Sequence, residues 1–191
     1  RYGRRQRQMC IRDRLNIDDF EVVLSEGFDN SQDNTNLDYS GWVNFAEQGT
    51  ELWTEQVFRG NGYTEFSAYR TFEDVNIGWL VTPGFDLTGS TNSFINFKLA
   101  QHHLDDDQNN TLEVFISNDF DGSNVLSATW NKLSVQIPNM SNSWYAFQDS
   151  GLIDVSSYEG TIHIGFKYVG SGTNTSLDGG YFVDDILFLK K

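Results

Sequence analysis

From Leu15 onward, apolar residues come in short bursts separated by glycine- and asparagine-rich breaks. Within several bursts the apolar positions alternate with polar ones, the period of a strand whose side chains point to opposite faces. In SFINFKLAQ (93–101), Ser93, Ile95, Phe97 and Leu99 share the face predicted to meet the core, and Phe94, Asn96, Lys98 and Ala100 share the other. In TIHIGFKYV (161–169), Ile162, Ile164, Phe166 and Tyr168 lie together, opposite His163 and Lys167. Strands are predicted on the same grounds over 20–28, 42–47, 52–58, 64–69, 77–82, 111–117, 130–137, 144–148 and 181–189. The run RGNGY (59–63) is read as a tight turn, because Asn-Gly tolerates positive φ. No segment carries the three-to-four-residue period of an amphipathic helix. Many short strands without helices predict an all-β fold, a two-sheet antiparallel β-sandwich of the jelly-roll type.

Composition supports this reading. Fifteen Phe, eight Tyr and five Trp can fill a sizeable core, and seventeen Gly against two Pro supply turns rather than rigid linkers. Charge divides the chain. Residues 1–14 hold six arginines and one aspartate; in the rest, seven basic side chains face twenty-six acidic ones, a net of −19. The basic stretch is expected to be a non-native or disordered arm, with 15–20 a linker and 21–190 the sandwich. An acidic body repels nucleic acid and anionic membranes and offers oxygen ligands to hard cations. The single cysteine, Cys10, lies in the arm, so no disulfide frames the body. No apolar run reaches membrane-spanning length, and any export signal is expected to lie outside this chain.

The order of motifs carries a family likeness. SEGFD (25–29), GWVNF (41–45), LWTEQVFRGNGYTEFSAY (52–69), GWLVTPGFDL (78–87), LEVFISNDFDG (112–122), SGLIDVSSYEGTIHIGFKYVG (150–170) and VDDI (183–186) follow one another in sequence. Together they resemble the choice-of-anchor J domain of Bacteroidetes surface proteins, a relative of the cleaved-adhesin and MAM-like jelly rolls. The resemblance implies an extracellular or cell-surface accessory domain of a larger protein and no catalysis.

Candidate chemistry is sparse. VDDI sets Asp184 and Asp185 in an apolar strand, where a bare carboxylate is costly unless paired, hydrogen-bonded or metal-bound. Glu26 and Asp29 end the first apolar strand. If the first and last strands lie side by side, as in related jelly rolls, these four could form a structural Ca²⁺ site; the alternative is that the aspartates accept backbone hydrogen bonds in a turn. Asp105–Asp107 and NDFDG (118–122) read as solvated loops, and His102, His103 and His163 as surface histidines with too few partners for zinc. Trp42, Trp79 and Trp130 read as core. Trp53, Tyr63 and Tyr145 are candidate ligand-binding rings, since an exposed aromatic beside polar groups suits a sugar. No nucleophile elbow, P-loop or dinucleotide fingerprint is present. The leading expectation is a binding or adhesion module for a glycan or cell-surface partner. A structural spacer is the alternative, and a glycoside hydrolase a third reading that needs two carboxylates in a cleft.

Overall fold

The computed structural model describes residues 17–191; the expected basic arm at 1–14 lies outside them. After one short 3₁₀ turn, Ile17–Asp19, the chain runs through β1 (Glu21–Glu26), β2 (Thr35–Asn36), β3 (Val43–Gln48), β4 (Thr54–Phe58), β5 (Asn61–Ser67), β6 (Asn76–Val81) and β7 (Phe85–Asp86). It continues through β8 (Ser93–His102), β9 (Thr111–Ser117), β10 (Asn131–Lys132), β11 (Gln148–Asp149), β12 (Ile153–Asp154), β13 (Thr161–Gly170) and β14 (Gly180–Lys190). The strands form two antiparallel sheets. One has eight strands in the order β11-β8-β14-β5-β4-β2, with β1 added beside β14 and β12 beside β8. The other has six, in the order β10-β9-β13-β6-β3, with β7 beside β13. This is the sandwich that the alternation predicts.

The core lies between the sheets. The predicted inner faces of β8 and β13 point into it, and Ile95, Phe97, Ile162, Ile164, Phe166 and Tyr168 are fully buried. Ring pairs bridge the layers: Phe66 stacks on Tyr168 with centroids 4.3 Å apart, and Phe85 on Phe188 at 4.1 Å. Gly78 on β6 permits the first of these contacts, because a Cβ there would sit 2.0 Å from the Phe66 ring. Trp53, just before β4, donates its indole N–H to the Gly78 carbonyl at 3.2 Å.

The first and last strands pair, Glu26 opposite Ile186 and Glu21 opposite Lys190. β14 therefore changes neighbour along its length. Residues 180–183 pair with β5 and residues 186–190 with β1, while β8 runs along the other edge. The register shifts between Asp184 and Leu187, and Asp185 has φ 53°. That bulge sits where one neighbour ends and the next begins.

Several predicted elements differ. The hairpin between β4 and β5 turns at Arg59-Gly60, both at positive φ (50° and 79°), and Asn61-Gly62 already belongs to the strand. The segments 130–137 and 144–148 pair only at Asn131–Lys132 and Gln148–Asp149, since bonds to neighbouring strands are irregular and Tyr145 has φ 63°. Phe20, expected in the linker, packs with Leu152 over Leu187 and Leu189 on the outer face of the eight-stranded sheet. His163 is buried rather than exposed. Its ring lies edge-on to Phe120 at 4.9 Å and donates from Nδ1 to the Thr82 carbonyl at 2.9 Å, because the 118–130 segment covers the outer face of the six-stranded sheet.

Candidate functional site

The outer face of the eight-stranded sheet has two halves. One is closed by Phe20 and Leu152. The other forms a groove of about 740 Å³. Its floor comes from alternate residues of neighbouring strands: Thr54 and Gln56 on β4, Tyr63, Glu65 and Ser67 on β5, Phe182 on β14 and His102 on β8. Strand pairing sets Glu65 beside Phe182 and Ser67 beside Gly180, which in turn lies beside His102.

Aromatic rings form one wall. Tyr63 lies 4.5 Å from Phe182, and Phe147 packs on both at 5.8 and 5.9 Å. The Tyr145 ring stacks toward His102 (5.4 Å, 15°) and Phe182 (6.0 Å, 29°). His103 meets Trp144 at 4.0 Å. Phe182 is buried by these neighbours, whereas Trp144 and Tyr145 are 51 % and 54 % exposed. Polar groups thread between the rings. The Glu65 carboxylate accepts from His102 Nε2 at 2.7 Å, and His102 Nδ1 lies 2.9 Å from His103 Nδ1. With neutral rings, the carboxylate fixes the proton of His102 on Nε2, so the bond between the two Nδ1 atoms is donated by His103. Burial, reinforced by Glu65, pushes the Tyr63 hydroxyl up to about 12, so it stays protonated and can donate.

Two non-glycine residues at this rim, His103 (φ 50°) and Tyr145 (φ 63°), adopt left-handed backbone. Each such conformation costs on the order of 1–3 kcal/mol and persists only where its surroundings hold it. The Tyr145 amide donates to the Gln101 carbonyl at 2.8 Å, and its ring is stacked as described. The strain turns a large ring outward to face solvent and the groove. His103, just past the end of β8, breaks the strand alternation, so the two histidines sit side by side rather than on the opposite faces that a regular strand would give them.

Of the three aromatics named from sequence, Tyr63 and Tyr145 line this groove. Trp53 does not: it is fully buried beneath β6 and has no surface to present. His102, His103, Phe182, Glu65 and Trp144 belong to the same surface and were not assigned to it from sequence. The pair His102-His103 was the one visible signal, and no pattern announces the positive φ that joins them.

The four carboxylates expected to hold calcium do not gather into one cluster. Among the described residues, no three His, Cys, Asp or Glu side chains come together as a metal site. Asp185 pairs with the Lys98 ammonium at 2.9 Å, which places a cation there from the chain itself. Asp184 accepts the Asp185 N–H at 2.5 Å and the Asn61 amide at 3.1 Å, serving the bulge where β5 gives way to β1. Glu26 accepts the Phe28 N–H at 2.6 Å at the end of β1, and Asp29 is exposed. Asp106 and Asp121 likewise accept bonds from their own loops, in line with their reading as turn residues.

No protein-family model matches the chain, and no curated protein does. Solved structures match over nearly all of it. Two cleaved adhesin domains of Lys-gingipain from Porphyromonas gingivalis superpose with TM-scores of 0.58 and 0.54, at 17 % and 14 % identity. They cover 88 % and 86 % of this chain, and 98 % and 96 % of their own. The chain has the cleaved-adhesin fold. A xylan-binding domain from Paenibacillus barcinonensis shares it at a TM-score of 0.50 and 10 % identity, over 88 % of this chain and 99 % of that domain. These similarities establish the adhesin-like sandwich; the choice-of-anchor J likeness rests on the sequence motifs.

Two outcomes test the carboxylates. Burial, then repulsion from Asp185, raises the Asp184 carboxyl to about 6, against hydrogen bonds that lower it. A folded-state value above the unfolded one contributes stability that is full below pH ~4 and is lost as pH rises through about 6. Asp184→Asn should therefore match the wild type at pH 4 and exceed it by about 3 kcal/mol at pH 7.5 in urea titrations. Equal pH dependence in both proteins would contradict this. Chelator should leave the melting temperature of the wild type unchanged at low salt. A drop of several degrees, restored by Ca²⁺, would reinstate the calcium site.

Proposed function

We propose that this domain is a non-catalytic binding module of an extracellular surface protein, and that its groove grips a glycan. The observation that carries the reading is Tyr145, a large ring held half-exposed in a strained backbone beside polar groups able to meet hydroxyls. Sugars present C–H faces to aromatic rings and hydroxyls to hydrogen-bonding side chains. Gln56, Thr54, Ser67 and Asn34 supply such groups around the floor. The spacer alternative expects no exposed aromatic cluster, and Trp144 with Tyr145 is one. That a xylan-binding domain and adhesin domains share the fold supports the reading. Pairing of the first and last strands suits a domain placed within a longer chain, with both ends on one side. The acidic body disfavours nucleic acid as the partner.

A second reading has one observation in its favour. Glu51 and Asp178 line the groove with carboxyls raised mainly by burial, as a glycosidase acid requires. Release of new reducing ends from a polysaccharide would favour that reading.

Affinity electrophoresis through gels containing soluble xylan, β-mannan or other neutral polysaccharides should retard the protein. Tyr145→Ala should weaken the interaction about tenfold, as truncation of an anchoring aromatic does. Tyr145→Gly, which also relieves the strain at φ 63°, should bind as weakly while its melting temperature stays within about 3 °C of the wild type. Free migration through every polysaccharide would refute the glycan reading.

A further inference from the structure

Resting on that reading, we infer that the groove selects glycans by charge, accepting uncharged polymers and turning away those that carry carboxylate or sulfate groups. Among the described residues, Glu51, Asp105 and Asp178 line the groove with no ion pair, and the Glu65 carboxylate pairs with His102. Among the described residues, no lysine or arginine lines it. Arg70 comes nearest in kind. Its guanidinium lies 4.9 Å over the ring of Tyr69, a groove residue, but Arg70 itself does not line the site. Both ring nitrogens of His102 are engaged, by Glu65 and by His103 Nδ1.

A glycan lying on the Tyr63–Phe182–Tyr145 wall would have these carboxylates alongside it. Like charges brought together in a partly desolvated groove oppose binding, and such opposition gives specificity more than affinity. The carboxyls of Glu51 and Asp178 are raised first by burial and then by their acidic neighbours Glu73 and Asp105, in keeping with a negative, poorly hydrated lining. An added anion meets that field with only the two histidines, which act to lower the Asp178 carboxyl, to offset it, whereas hydroxyls meet hydrogen-bonding groups.

The test compares soluble xylan and β-mannan with their carboxymethyl derivatives, using hydroxyethyl derivatives of equal substitution to control for bulk. Binding is measured by affinity electrophoresis and calorimetry at low salt. The carboxymethyl polymers should bind at least about tenfold more weakly than the hydroxyethyl ones. The gap should shrink in about 0.5 M NaCl, where the screening length falls to a few ångströms. It should also shrink in the triple variant Glu51→Gln, Asp105→Asn, Asp178→Asn. Equal binding of both derivatives, or a gap indifferent to salt and to the triple variant, would overturn the charge selection and leave the glycan reading standing. No binding of any polymer, charged or not, would overturn the glycan reading and this inference with it.

Discussion

The last strand is apolar on both faces, and the structure is organised by the need to cover both. From Gly180 to Lys190, only Asp185 and Lys190 reach even partial exposure. The inner face, with Tyr181, Val183, Ile186 and Phe188, closes the core against the second sheet. The outer face, with Phe182, Leu187 and Leu189, would meet water in a simple sandwich. Burying a side chain of this size is worth roughly 1.5–3 kcal/mol, so the outer face recruits its own cover. Phe20 and Leu152 close one end. Tyr63, Phe147 and Tyr145 shelter Phe182 at the other, but they stand as a wall beside it and leave a groove in front.

The bulge in that strand follows from the same demand. β14 is longer than β5, so a second neighbour, β1, takes over beyond Asp184. Backbone groups at the changeover need partners. Asp184 supplies them from within, while Asp185, turned to a positive φ, reaches Lys98. The pair of acids expected to hold a metal sits at this junction. The ammonium of Lys98 lies beside Asp185 as a countercharge from the chain itself.

Alternation made the sandwich legible in the sequence, because a half-buried strand writes its two faces into the order of residues. The inner faces of β8 and β13 follow it residue by residue. It failed where backbone departs from regular extension. Arg59-Gly60 makes the turn ascribed to Asn61-Gly62, and Tyr145 interrupts a segment that reads as a strand. Trp53 read as a ring beside polar groups and so available to ligand, yet its face is the inner one. The groove depends on His103 and Tyr145 in left-handed backbone, a conformation that no local pattern assigns to such residues. Tyr63 and Tyr145 could be picked out as candidates, but the partners that make them a surface could not.

On the proposed function, the incompletely covered outer face of the eight-stranded sheet would be the binding surface. Amide chemical-shift mapping during titration with xylohexaose or mannohexaose tests this most directly. Shifts should gather at Tyr63, Glu65, His102, His103, Tyr145 and Phe182 and leave the opposite sheet unmoved. Shifts centred instead on the outer face of the six-stranded sheet, around Trp79, Phe120 and Trp130, would contradict it.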